Sequence, residues 1–188
     1  MIEAEIKARV REPEVLRERL ESLAVGRDEV YRDAYFDTSG AALEAGDREL
    51  RLRTVYGVDG ARSLLTYKGA RVDESSGSKP EFETSVGHPE AVRALLGGLG
   101  YVEAIAFEKH CRNYEFAARG RSMLATLVRV PDIGGTYIEL ETQVPGEEGL
   151  RSALEDLRGV LGELGVAEDD LTSEMYTEAV RAGRAGRV

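Results

Sequence analysis

The feature that most constrains this chain is a run of strand-length segments with a period of two, the first of which is charged at every second residue and apolar between. Ile2, Ala4, Ile6, Ala8 and Val10 alternate with Glu3, Glu5, Lys7 and Arg9, so a β-strand there has one apolar face and one fully charged face. The period of two returns over Glu29 to Asp37, Glu49 to Tyr56 and Pro80 to Val86, and a further strand is expected over Ser63 to Lys68, leading into Gly69. Three more strands are expected over Glu103 to Phe116, Met123 to Val130 and Thr136 to Val144, with turns at Gly120 and Gly134-Gly135. Between groups of strands the period lengthens. Pro13 opens a helix with Leu16, Leu20 and Leu23 on one side, ended by Gly26. Pro89 opens a second, with the stripe Val92, Leu95, Leu96 and Leu99. Leu150, Ala153, Leu154, Leu157, Leu161 and Leu164 mark a third, and a last helix is expected from about Glu168 to Val180. Val72 to Ser78 reads as a mobile loop, and 181–188, with Arg181, Arg184 and Arg187, as a basic tail expected to be disordered.

Single-stripe helices need an apolar surface to cover, and the Ile2/Ala4/Ile6 and Ile138/Leu140 faces supply it. The charged faces must then point elsewhere. At 188 residues the chain suits one domain, expected over 1–180. Its 25 Lys and Arg against 35 Asp and Glu leave a net charge of −10, which disfavours binding nucleic acid broadly. Charges interrupt every hydrophobic segment, so no membrane insertion is expected. Cys111 is the single cysteine and charges interrupt the first ten residues where a signal peptide needs an apolar run, which points to a cytoplasmic protein.

Three strands carry Glu-x-Glu on one face: Glu3/Glu5, Glu81/Glu83 and Glu139/Glu141. Residues two apart on a strand sit about 7 Å from each other on the same side, so each pair repels itself unless compensated. Arg51/Arg53, Lys68 and Lys109 stand on other strands. Hard divalent cations take carboxylate and phosphate oxygens, while Lys and Arg grip phosphate directly. Both halves of a metal and phosphate site are therefore present. If the sheet closes, the charged faces line a lumen that must hold water, metal and an anion, because unpartnered buried ions cost several kcal/mol each.

Glu3-x-Glu5-x-Lys7, Asp33-x-Tyr35-Phe36-Asp37-Thr38, Leu50-Arg51-Leu52-Arg53, Thr66-Tyr67-Lys68-Gly69 and Glu139-x-Glu141 follow one another in this order along nearly the whole chain. In this it resembles the CYTH family, the triphosphate tunnel metalloenzymes, which groups class IV adenylate cyclases, thiamine triphosphatases and inorganic triphosphatases. The resemblance implies an α+β fold, a closed eight-stranded antiparallel β-barrel with helices packed on the outside. It implies Glu3, Glu5, Glu139 and Glu141 as ligands of Mg²⁺ or Mn²⁺ or supports of the metal's waters, with Glu81 and Glu83 as further acidic wall. Lys7, Arg51, Arg53, Lys68 and Lys109 would grip phosphate, with Arg112 as an added member. Lys7, Tyr35 and Asp37 would act in catalysis or orient substrate or water.

Three departures from the family pattern stand out. The family usually has Lys-x-Arg where this chain has Lys109-His110-Cys111-Arg112, and strict alternation puts Lys109 and Arg112 on opposite faces unless a bulge intervenes. Val128 stands where an acidic residue is usual, which bears on a second metal. Lys79 replaces a common arginine, keeping charge but losing the bidentate fork. No zinc spacing, phosphate-binding glycine loop or nucleophile triad appears around His88, His110 or Cys111. The expectation is metal-dependent chemistry on ATP, tripolyphosphate or thiamine triphosphate: cyclization of ATP to cyclic AMP first, triphosphate hydrolysis second, and a non-catalytic polyphosphate or nucleotide sensor third. The resemblance also makes a homodimer plausible.

Overall fold

The strands are β1 (Ile2–Val10), β2 (Arg27–Thr38), β3 (Glu49–Gly57), β4 (Gly60–Lys68), β5 (Lys79–Val86), β6 (Tyr101–Ala118), β7 (Arg121–Arg129) and β8 (Thr136–Val144). In this computed structural model, which describes residues 1–73 and 76–186, they close into an antiparallel barrel in the order β1-β5-β4-β3-β2-β6-β7-β8. Four helices pack around it: α1 (Pro13–Glu21), α2 (Pro89–Gly98), α3 (Leu150–Glu163) and α4 (Tyr176–Ala185). The β6–β7 hairpin turns on Arg119 and Gly120, whose φ angles of 52° and 75° both lie in the left-handed region that matches the twist of the flanking strands.

The apolar core lies outside the barrel wall. Ile2, Ala4, Ile6 and Ala8 of β1, with Ile138 and Leu140 of β8, pack against Leu16 and Leu20 of α1 and the Leu154, Leu157 and Leu161 stripe of α3. A smaller cluster sets Leu96 of α2 on Ala34, Phe36 and Leu52. Only part of the expected α2 stripe is used: Leu95 and Leu99 are exposed, because this helix covers a narrow patch of strand rather than a broad sheet face. With apolar side chains turned outward under the helices, the alternate residues of all eight strands turn inward.

Two expectations need correction. Glu168–Asp170 is a single 3-10 turn and 171–175 is extended, so the last α-helix starts at Tyr176 and runs to Ala185, through the first residues of the expected basic tail. Arg181 pairs with Glu44 and Arg184 with Asp132, which ties that helix to the body. Arg187 and Val188 of the tail lie outside the described residues, as do Glu74 and Ser75 of the expected 72–78 loop. The flanks of that loop are joined by the Val72 amide donating to the Ser78 carbonyl at 2.8 Å.

Candidate active site

Inside the barrel is a cavity of about 360 Å³, and cross-strand register decides which charges meet in it. Lys7 lies opposite Glu139, Asp33 opposite Arg53, and Lys68 opposite Glu81, so strands bearing like charges find opposite charge on their neighbours. The Lys68 ammonium bonds the Glu3 carboxylate and lies 3.1 Å from Glu81. Lys109 is 3.5 Å from Glu139. Arg53 takes Asp33 in a two-pronged bond of 2.6 and 2.7 Å, and its guanidinium lies 4.4 Å from the Tyr31 ring centroid. Arg51 reaches the Thr66 hydroxyl at 3.3 Å, but its Nε is buried with no hydrogen bond. That leaves a buried donor facing the cavity without an acceptor.

One neighbouring pair breaks the rule. Glu5 lies directly opposite Glu141, and one carboxylate oxygen from each of Glu3, Glu5 and Glu141 falls within a 4.8 Å cluster. Burial, together with Glu139 and Glu3, pushes the Glu5 carboxyl up to about 7. Burial and the Glu3 and Glu5 carboxylates raise Glu141 well above the usual range. Glu3 is held below that range: burial opposes its charge, but the Lys68 ammonium outweighs it. Glu139 is held low in the same way by Lys109 and Lys7. Negative charge is thus undercompensated at Glu5 and Glu141, which suits a hard divalent cation.

The six expected acidic residues therefore divide. Glu3, Glu5 and Glu141 converge; Glu139 stands beside Lys109, and Glu81 beside Lys68. Glu83 lies further out, taking a 2.8 Å bond from the Thr66 hydroxyl. Lys7, Arg51, Arg53, Lys68, Lys109 and Tyr35 all line the cavity. Arg112 and Asp37 do not. No register shift occurs near Lys109, so alternation holds and Arg112 points outward, bonded to Asp28 at 2.6 Å, Glu21 at 3.0 Å and the Tyr114 hydroxyl at 2.9 Å. Asp37 shares the parity of Tyr35 but lies past the irregularity where Tyr35 faces Ile105 and Phe36 faces Glu103, leaving Ala104 as the extra residue. Its carboxylate accepts the amides of Thr38, Leu43 and Glu44, at 2.7, 2.8 and 2.9 Å, and organises the 38–44 turn. Arg112→Gln is expected to leave polyphosphate affinity unchanged, measured by titration calorimetry, and to cost no more than about 1 kcal/mol of stability.

The strand patterns do not reveal the role of the chain beyond β8. The extended segment before α4 crosses one end of the tunnel: Lys7 donates to the Glu174 carbonyl, and the Thr172 amide donates to the Lys7 carbonyl at 2.9 Å. The Tyr176 ring then lies 4.6 Å from the Lys7 ammonium and 4.0 Å from that of Lys109. Its hydroxyl is buried, with no hydrogen bond of ordinary geometry, close to Glu139. Val128, where the family pattern has an acid, packs with Cys111, Tyr137, Tyr176 and Val180 in an apolar plug. Leu124 and Thr126 are the other β7 residues facing the cavity, so β7 contributes no carboxylate to it. At the opposite end Asn113 bonds Glu29 at 2.8 Å and the Tyr31 hydroxyl at 2.7 Å, and Arg62 closes on Glu29 at 2.6 Å.

The chain that builds this closed, two-signed barrel matches a known family model, the CYTH domain, over residues 1–176. The chain belongs to the CYTH family. It is 25% identical over 180 residues to the Methanocaldococcus jannaschii protein named "Putative adenylate cyclase MJ0240", covering 95% of this chain and 98% of that one. The structure of the PH1819 protein from Pyrococcus horikoshii superposes with a TM-score of 0.82 at 25% identity, covering 96% and 98% of the two chains. The Hippeastrum protein HpAC1, described as a "putative adenylyl cyclase" with a dominant triphosphatase activity, shares the fold with a TM-score of 0.67 at 19% identity, covering 97% and 96%. CYTH proteins are divalent-metal-dependent enzymes of triphosphates, adenylate cyclases and triphosphatases among them.

Proposed function

We propose that this protein turns over a triphosphate in the tunnel with the help of a divalent cation, converting ATP to cyclic AMP and pyrophosphate. The observation that carries the proposal is the placement, in one lumen, of the Glu3/Glu5/Glu141 cluster, undercompensated at Glu5 and Glu141, beside the cations Lys7, Arg51, Arg53, Lys68 and Lys109. The three carboxylates fit Mg²⁺ or Mn²⁺, being hard oxygen donors whose mutual repulsion a cation would relieve. Bound there, the ion would neutralise charge on the reacting phosphate oxygens.

The chain's own residues supply position and field. Arg51, with its unpartnered Nε, and Arg53 would take phosphate oxygens on one side of the lumen, and Lys68 and Lys109 on others. Each cation sits in a place fixed by the register of its strand, so little reorganisation accompanies binding. Cyclization requires the ribose 3′ hydroxyl to attack the α-phosphorus, forming one P–O bond as the bond to the β-phosphate oxygen breaks. The hydroxyl proton needs an acceptor. Burial and the neighbouring Lys109 lower the proton affinity of Lys7, which favours its Nζ as that acceptor. Tyr35, stacked on Phe107 with centroids 5.7 Å apart, holds a fixed place at the same end.

The test incubates pure protein with ATP, tripolyphosphate and thiamine triphosphate, each with Mg²⁺ or Mn²⁺ and with a chelator control, and identifies the products. Cyclic AMP with pyrophosphate from ATP is the expected result. Orthophosphate from any of the three would replace cyclization with hydrolysis, and absence of product from all three would leave a binding module.

A further inference from the structure

Cross-strand register sets Arg51, Thr66 and Glu83 side by side on β3, β4 and β5, on the face of the sheet that turns inward. Arg51 and Glu83 border the lumen, and Thr66 stands in the wall between them at 1% exposure. Its hydroxyl joins the two. Arg51 Nη2 donates to Thr66 Oγ1 at 3.3 Å, and Oγ1 donates onward to the Glu83 carboxylate at 2.8 Å. A hydroxyl has one proton to give and lone pairs to receive, so this direction satisfies all three groups. The same Arg51 nitrogen lies 3.9 Å from the Glu83 carboxylate, beyond hydrogen-bond reach. The hydroxyl therefore stands where a direct ion pair would otherwise form.

Neighbouring cations show what Arg51 is spared. Asp33 takes Arg53 in a two-pronged bond, and Lys68 bonds Glu3. An anion arriving at such a group must first displace a carboxylate. Arg51 Nη2 instead meets a neutral hydroxyl, and its Nε is buried without an acceptor. The guanidinium is held in place but not neutralised. We propose that Thr66 is a positioning residue for the bound triphosphate: its hydroxyl fixes Arg51 and keeps Glu83 from pairing with it, so that Arg51 stays open to phosphate oxygens. The inference rests on the reading of the tunnel as the triphosphate site. It gives Glu83 a task beyond acidic wall, because its carboxylate orients the Thr66 hydroxyl and leaves an oxygen lone pair for Arg51. The Glu83 side chain is 36% exposed and has room to swing. With the hydroxyl gone, Arg51 and Glu83 each lose a partner and satisfy one another.

Thr66→Val keeps the outline of the side chain and removes both hydrogen bonds. Dissociation constants for inorganic tripolyphosphate are measured on wild type, Thr66→Val, Thr66→Ala, Thr66→Ser, Glu83→Gln and the double variant Thr66→Val/Glu83→Gln, with chelator present so that metal-dependent turnover does not consume the ligand. Affinity is expected to fall about tenfold in Thr66→Val and in Thr66→Ala, and to stay within about twofold of wild type in Thr66→Ser. Glu83→Gln alone shifts it by less than about twofold, yet added to Thr66→Val it restores affinity to within about threefold of wild type, because a neutral amide does not hold the guanidinium as an ion pair. A threonine that served only the fold would not give this recovery. Thermal melts confirm that each variant remains folded. Unchanged affinity in Thr66→Val and Thr66→Ala, an equal loss in Thr66→Ser, or the same effect of Glu83→Gln with and without the threonine would overturn the positioning role and leave the tunnel reading standing. Wild-type protein that binds no tripolyphosphate would overturn the tunnel reading, and the role of Thr66 with it.

Discussion

Asp33→Ala is expected to destabilise the protein by about 3 to 5 kcal/mol, read as a lower urea midpoint with little change in slope. Asp33 is almost wholly buried, at 1% exposure, and both its oxygens are bound by Arg53. Removing the carboxylate leaves a guanidinium in the lumen with the Tyr31 ring beside it and its two-pronged carboxylate partner gone. Burial alone would raise the Asp33 carboxyl, but Arg53 outweighs it and holds the group far below its ordinary range. The sign follows. A depressed carboxyl contributes its full stability above its unfolded pKa near 3.8 and loses it as pH falls further, so the wild-type advantage over Asp33→Ala should narrow in acid. A second readout separates lost charge from lost packing. Tripolyphosphate should raise the melting temperature of Asp33→Ala more than that of wild type, because the freed Arg53 gains an anionic partner. Equal shifts would mean that Arg53 does not face the ligand.

The strand faces were legible in the sequence because a two-residue period survives errors at strand ends. The sequence pattern starts β2 and β6 two residues late and ends β6 two early, yet the inward residues are unchanged. Which strand lies beside which was not legible: β1 pairs with β5 and β8, far along the chain, and the opposition of Glu5 to Glu141 exists only through that closure. Asp33 had the right parity for the lumen, but its role depends on Arg53 across the ladder. Parity misled at Asp37, which the extra Ala104 on the partner strand and the end of the barrel assign to a turn. Arg112 shows the converse, since three residues from Lys109 without a bulge means the outer face. Tyr176 had no signal at all, because a tyrosine at a helix start gives no hint that its ring will meet two lysines from β1 and β6.

Raising pH from 5 to 8 is expected to weaken the metal-free protein. Glu5 titrates near 7 in the fold against an ordinary value of 4.5, and Glu141 is displaced in the same direction. A carboxyl raised on folding binds its proton more tightly in the native state, so stability is fully present below about 4.5 and declines as pH climbs through 7. For Glu5 alone the penalty at the top of this window is roughly 3 kcal/mol if no cation compensates. Glu3, Asp33 and Glu139 are shifted downward and titrate below the window, so they do not mask the slope. Mg²⁺ or Mn²⁺ should displace the proton from Glu5, raising the melting temperature more at pH 8 than at pH 6 and releasing protons that calorimetry in buffers of different ionisation enthalpy can count. Glu5→Gln should flatten the apo slope, stabilise the chelated protein at pH 8, and lower metal-dependent turnover by about a hundredfold or more. A gain of stability with rising pH in the chelated wild type, or a cation effect independent of pH, would show that the three glutamates do not share uncompensated charge.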